Sequence, residues 1–183
     1  GEEGEMVELT DFIRDIPDFP TKGIIFKDIT PLLLDPVAFD EAVNLLAHPY
    51  KSKGIEVVAG IESRGFIFGG AVARELGAGF VPIRKPGKLP YKTVRAEYEL
   101  EYGTDAIEIH ADAIVSGTKV LMLDDLLATG GTMAAACKLV KDLGGEIVGV
   151  AFLIELCFLN GRSKLADYDV YSIIRYGEHN EDE

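Results

Sequence analysis

Residues 120–137 read VLMLDDLLATGGTMAAAC, and few folds accommodate that string. Four apolar residues, Val120, Leu121, Met122 and Leu123, run straight into two adjacent carboxylates, Asp124 and Asp125. An apolar run of about four to eight residues bounded by a turn signal reads as a buried strand. The small residues Ala128, Thr129, Gly130, Gly131 and Thr132 follow, and then an alanine-rich stretch starts a helix. A strand of this kind delivers its acids to the carboxyl edge of a sheet, where open α/β folds bind ligands.

The composition of the loop dictates what it can hold. Gly130 and Gly131 permit positive φ and close backbone approach. The N–H groups of residues 129–133 can converge on one anion at the helix N-terminus, where unpaired donors and the helix dipole favour negative charge. No Lys follows the second glycine, so this is not the usual nucleotide P-loop. Two carboxylates precede the loop instead, and carboxylates repel phosphate while accepting from hydroxyls. The implied ligand has a terminal phosphate with a diol nearby, as in a ribose 5-phosphate. The plainer reading is an ordinary strand–turn–helix with a capping Thr and surface aspartates; the paired acids at the strand end weigh against it.

Around this centre the chain alternates strand and helix. Residues 9–16 place Leu9, Phe12, Ile13 and Ile16 at helical spacing, which predicts a short helix capped by Thr10 or Asp11. Residues 17–36 hold four prolines and one glycine and read as a rigid, mostly non-helical segment. A helix starts at Asp35 and Pro36 and runs to about Tyr50. Strands are expected over residues 55–61, 80–84, 146–156 and 170–176, with a helix from Arg64 to Leu76 that Gly77 stops. Residues 96–109 alternate with period two on both sides of Gly103 and Thr104, as a hairpin should. The pattern predicts one α/β domain with a mainly parallel central sheet flanked by helices and an inserted hairpin.

Charge and cysteine usage narrow the class. The 183 residues carry 18 Lys and Arg against 31 acids, a net −13. Seven of the acids lie in residues 1–5 and 177–183, read as acidic tails; without them 24 acids face 18 bases, or −6. That balance argues against nucleic acid as a partner. No apolar run approaches ~18 residues, and the acidic start does not suit a signal peptide, so no membrane is expected. Cys137 and Cys157 stand apart, with neither a disulfide framework nor metal-ligand spacing, which suits the reducing cytoplasm.

Three further pieces can reach the same ligand. Glu62, Ser63, Arg64 and Gly65 end one strand and begin a helix, and Arg64 offers a fork of donors suited to pyrophosphate, or else a solvated capping turn. Residues 83–95 hold Arg84, Lys85, Lys88, Lys92 and Arg95 and no acid, a local reversal that reads as a solvated loop or as a second clamp. Glu97 and Glu99 are a solvent face of the hairpin. Glu101 and Tyr102 lie at its tip, where a closing lid could carry them onto a substrate, with Glu101 donating or accepting a proton.

Residues 120–132 resemble the 5-phosphoribosyl-1-pyrophosphate (PRPP) motif of the type I phosphoribosyltransferases. With Pro17 to Pro20, GIIFKDITPLL, ESRGF, IRKPGKLP and LEYG, the match runs from about Leu9 to Tyr176 and resembles the adenine phosphoribosyltransferases in particular. The resemblance implies the type I fold over residues 6–176, with a small N-terminal hood at 9–35. It implies transfer of the phosphoribosyl group to adenine, giving AMP and pyrophosphate, with Mg²⁺, in a homodimer. Carried over by position, the backbone of Ile25 and Lys27 would read the adenine edge, with Phe26 stacking on one face and Leu156 on the other. Lys27 departs from the family's usual Arg, which matters little for a backbone contact; the lesser alternative for Phe26 is a core aromatic beside Ile24 and Ile25. Ser63, Arg64, Arg84, Lys85, Lys88 and Tyr102 would hold pyrophosphate, and Ala128, Thr129, Gly130, Gly131 and Thr132 the 5-phosphate. Asp124 and Asp125 would meet the ribose hydroxyls, Asp124 reaching Mg²⁺ through water, with Arg64 and Glu101 completing the catalytic set. A cis peptide at Glu62–Ser63 is also implied. The rivals are the same chemistry on hypoxanthine or xanthine, a PRPP-sensing regulator, and a flavodoxin-like binding module.

Overall fold

A computed structural model describes residues 7–100 and 102–178. Its centre is a five-stranded sheet of β3 (Val57–Ile61), β4 (Gly79–Ile83), β7 (Lys119–Leu127), β8 (Glu146–Leu156) and β9 (Val170–Tyr176). The spatial order is β4-β3-β7-β8-β9, and every pair is parallel. The chain leaves β3 toward one edge and β7 toward the other. The crevice between these two carboxyl ends is therefore the switch point where such sheets bind ligands.

Period-two alternation in β7 sends side chains to both faces, and both are covered. Leu121 and Leu123 pack with Leu46 of α2 (Pro36–Ala47) and with Phe68 and Val72 of α3 (Arg64–Leu76). Val120 and Met122 pack on the other face with Met133, Ala136 and Val140 of α4 (Gly131–Asp142). The hairpin of β5 (Thr93–Glu99) and β6 (Thr104–His110) forms a separate antiparallel pair on that second face. Its Ala96, Ile107 and Ile109 are buried in the same cluster as α4.

Local signals account for most boundaries. Asp35 caps α2 by accepting from the N–H groups of Val37 and Ala38, with Pro36 in the first turn. Gly77 ends α3 in the left-handed conformation, φ 65°. The helix expected over residues 9–16 is not formed. Leu9–Phe12 makes one 3-10 turn, and the chain then extends as β1 (Arg14–Pro17), paired antiparallel with β2 (Ile25–Asp28). Eight residues are marginal for a free helix, and here Arg14 and Lys27 gain carboxylate partners, Asp28 and Asp15, across the ribbon. A five-residue helix, α1 (Thr30–Leu34), interrupts the segment read as mostly non-helical. Among the described residues no helix is long and apolar enough to cross a membrane.

Candidate active site

The centre of the site is where β7 turns into α4. Gly130 takes φ 88° and acts as N-cap, so the chain reverses around it into the first turn of α4. The leading N–H groups of that helix have no intrahelical acceptor. A pocket of ≈ 90 Å³ opens there, lined by Asp124, Ala128, Thr129, Gly130, Gly131 and Thr132 among others. Only glycine fits at 130, because a Cβ would stand 2.5 Å from the carbonyl oxygen of Gly161.

Beside the pocket the start of α3 closes on the end of β7. A Cβ at Gly65 would meet Asp124 Oδ1 at 2.8 Å, so the two strand–helix junctions touch. Asp124 accepts from the N–H of Asp125 at 2.8 Å. Asp125 is 7% exposed, and its Oδ2 lies 2.7 Å from Nε of Arg64. The Nε–H does not point along that line, so the contact is ionic and Oδ2 is buried without a hydrogen-bond donor. Burial, reinforced by the neighbouring charge of Asp125, pushes the Asp124 carboxyl well above its usual range. One acid is thus held by a cation while the other keeps its proton more readily. The Glu62–Ser63 peptide that precedes Arg64 is cis, and Ser63 is exposed.

Arg64 also ties the site to the hood. Its Nη1 donates to Lys27 O at 3.2 Å, and its guanidinium stands 4.8 Å from the ring centre of Phe26. In an antiparallel pair the N–H and C=O of one residue point the same way, and alternate residues share a side. Lys27 O is turned away from β1, so the Lys27 N–H and the backbone of Ile25 also face the unpaired edge of β2. Pro17, opposite Ile25, has no N–H to offer it. The Lys27 side chain points elsewhere, to Asp15 at 2.6 Å and over the Tyr176 ring at 3.9 Å. Phe26 is half-buried against the edge of Phe19 and outside the main core clusters. Leu156, the last residue of β8, is half-buried beside Tyr176.

The basic segment is held more firmly than its composition suggested. Glu62 accepts from the backbone N–H of Lys85 at 2.6 Å and faces Arg84 Nε at 3.4 Å. The Lys85 ammonium binds Asp105 and the Tyr98 hydroxyl of the hairpin. Lys88 is exposed on the following turn and Tyr102 is 89% exposed, and neither lines the pocket at the start of α4. Glu101 lies outside the described residues.

Comparison with known proteins decides the family. The phosphoribosyl transferase domain model matches residues 28–180. A protein of Geobacter metallireducens named adenine phosphoribosyltransferase is 59% identical, over 93% of this chain and 100% of that one. The chain belongs to the adenine phosphoribosyltransferase family. Among solved structures, adenine phosphoribosyltransferase of Thermoanaerobacter pseudethanolicus superposes with a TM-score of 0.89 at 54% identity, covering 92% of this chain and 98% of that one. That of Saccharomyces cerevisiae, complexed with D-2,5-dideoxy-2,5-imino-altritol 1,6-bisphosphate and adenine, gives 0.85 at 42%, covering 90% and 95%.

In this family member the sequence left one supporting element unread. Glu155, next to Leu156, is 3% exposed. It accepts from Arg162 Nε at 2.9 Å and Nη2 at 2.9 Å, with Arg175 Nε at 3.6 Å. The pair fastens the 3-10 turn Gly161–Leu165, whose Gly161 backs the phosphate loop. An adenine phosphoribosyltransferase signature taken strand by strand gives no hint of it, because the partners lie seven residues apart across a turn. Burial raises the Glu155 carboxyl more than any one contact lowers it, but the Arg162 hydrogen bonds, Ser172 and the charges of Arg162 and Arg175 together hold the group below its usual range. A depressed folded value stabilises the fold above the unfolded value of about 4.3 and is lost as pH falls through the folded one. Glu155→Gln should therefore lower Tm by roughly 4–8 °C at pH 7, about 2 kcal/mol, and by progressively less below about pH 4. Thermal melts of both proteins from pH 3 to 8 check this; a gap that does not narrow in acid refutes it.

Proposed function

We propose that the chain transfers the 5-phosphoribosyl group of PRPP to adenine, forming AMP and pyrophosphate in purine salvage. The observation that carries the reading is the pairing of an amide-lined 90 Å³ pocket with two strand-end carboxylates at the switch point of the sheet. The relatives bear the name of that activity, and the yeast neighbour was solved with adenine. The reading takes residues 6–176 as one such domain, with residues 9–35 as its hood.

Residues 128–132 take the 5-phosphate on their N–H groups. The ribose hydroxyls lie over Asp124 and Asp125, where a hydroxyl donates to the orphaned Oδ2 of Asp125. Arg64, Arg84 and the N-terminal turn of α3 at Ser63 face the pyrophosphate, with Lys85, Lys88 and Tyr102 joining them as the hairpin and its flanking loop adjust. As Arg64 turns to the pyrophosphate it leaves a face of Phe26, which stacks on the purine with Leu156 opposite. The free edge of β2 then reads the base: Ile25 C=O accepts from the 6-amino group, and Lys27 N–H donates to N1.

The donors suit Mg²⁺ only in part. Among the described residues no three His, Cys, Asp or Glu side chains cluster as a protein cage would. Two carboxylates beside a phosphate ligand are nonetheless the usual Mg²⁺ setting, and Asp124, which lines the pocket, would reach the ion through water. When bound, the ion neutralises charge on the departing pyrophosphate. The chain's own residues do the rest. Departure leaves positive charge on the ribose ring, which the charged Asp125 stabilises, while Arg64 holds the leaving group. Adenine N9 attacks the opposite face of C1, inverting it. Glu101 is assigned the proton exchange with the purine.

A homodimer fits the apolar surface that Ile67 of α3 and Phe80 of edge strand β4 leave exposed. A reducing cytoplasm fits two cysteines that form no disulfide. The direct test is AMP formation from labelled adenine, which should require both PRPP and Mg²⁺; PRPP-independent turnover, or none, refutes the assignment. Gly130→Ala tests the phosphate loop. The added methyl meets the Gly161 carbonyl at 2.5 Å and φ is 88°, so the loop must shift. A displacement near 1 Å costs about 10²-fold, expected here in kcat/KM for PRPP, whereas adenine affinity should hold.

A further inference from the structure

The turn that backs the phosphate loop also carries a cation toward it. Lys164 follows Arg162 in the 3-10 turn Gly161–Leu165, and its Nζ lies 3.8 Å from the position a Cβ on Gly131 would occupy. With Thr129, Gly131 and Thr132 it lines a cavity of ≈ 480 Å³ that Tyr98, Glu99 and Leu100 of the hairpin also line, the Tyr98 ring standing 3.6 Å from the same Gly131 position. Lys164 takes part in none of the ion pairs among the described residues. The turn that bears it is held from behind by two contacts, while the Lys164 side chain itself is exposed. Arg162 is hydrogen-bonded to the buried Glu155, and a Cβ at Gly161 would stand 2.5 Å from Ala128 O.

The phosphate loop needs such a group. A phosphate monoester carries between one and two negative charges at neutral pH, and backbone amides offer only partial ones. Asp124, Asp125 and the hairpin's Glu99 all stand nearby, and the loop itself contains no basic residue. We propose that Lys164 binds the 5-phosphate of PRPP and AMP from the side of the turn, and that the Glu155–Arg162 pair positions it there. The inference rests on the phosphoribosyl transfer reading and names a further binding residue for it.

Calorimetric titration of the full chain with AMP and with adenosine, which lacks the phosphate, separates the possibilities. Lys164→Ala should weaken AMP about 10-fold and raise KM for PRPP to match, with kcat within twofold. Adenosine binding should be unchanged, and Lys164→Arg should recover most of the AMP affinity. The AMP difference should shrink as salt rises. AMP binding within twofold of the parent protein would overturn the inference, as would equal weakening of AMP and adenosine, which would mean a disturbed loop and no charge contact. If the unmodified chain binds neither AMP nor PRPP, the proposed function fails first and this assignment falls with it.

Discussion

Adenine should outcompete hypoxanthine by roughly 10⁴-fold in kcat/KM when each is offered with PRPP. The expectation comes from the direction of two backbone groups, not from pocket size. Lys27 O is turned to Arg64, which places the Lys27 N–H and the Ile25 C=O on the unpaired edge of β2. Adenine presents a 6-amino donor and an N1 acceptor to that edge. Hypoxanthine presents an O6 acceptor and an N1–H donor, so both contacts become repulsive and the two backbone groups that the bound base would cover lose their partners. An apolar pocket that merely measured size would separate such similar bases by only about 10–200-fold. Comparable rates with the two bases would show that β2 does not read the purine. The same panel, extended to xanthine, tests the nearest rival activity.

Asp125→Asn should lower kcat for AMP formation by about 10²–10³-fold with little change in KM for adenine. The substitution keeps the shape and removes the charge that the proposed mechanism sets against the ribose ring. Asp125 is 7% exposed, so its charge acts in a poorly screened position once Arg64 has turned to the pyrophosphate. Asp124→Asn should cost less. Burial and its neighbour already push that carboxyl toward the neutral form, which the amide resembles. Single-turnover rates with the two variants, accompanied by melts to confirm folding, give the comparison. Equal losses, or an unchanged Asp125→Asn rate, would remove the asymmetry on which the mechanism rests.

Short-range features of the chain carried most of this in the sequence. The strand, its two acids, the glycine turn and the helix start lie within about twenty consecutive residues, so the loop and its position on the sheet followed from local chemistry. The caps at Asp35 and Gly77 are local for the same reason. Residues 9–16 were legible only as an apolar spacing, which suits a helix. The partners that draw residues 14–17 into a strand lie eight to fourteen residues and a turn away, from Ile25 to Asp28. Lys85 is a similar case: its charge was visible, but its ties to Asp105 and Tyr98 depend on how the hairpin folds back. Lys164 was hidden most thoroughly. Its nearness to Gly131 depends on a buried Glu–Arg pair and a glycine–glycine contact, neither of which leaves a periodic trace.

The burial of Ala96, Ile107 and Ile109 beneath α4 limits how this enzyme family member can shut itself around a substrate. An arm swinging from its root would tear apolar surface out of the second layer and expose it to water, at about 25 cal/mol for each Å². The paired stretch that holds Ala96, Ile107 and Ile109 is therefore one stiff unit with α4. A closure that leaves this packed layer intact would cost the fold none of that buried surface.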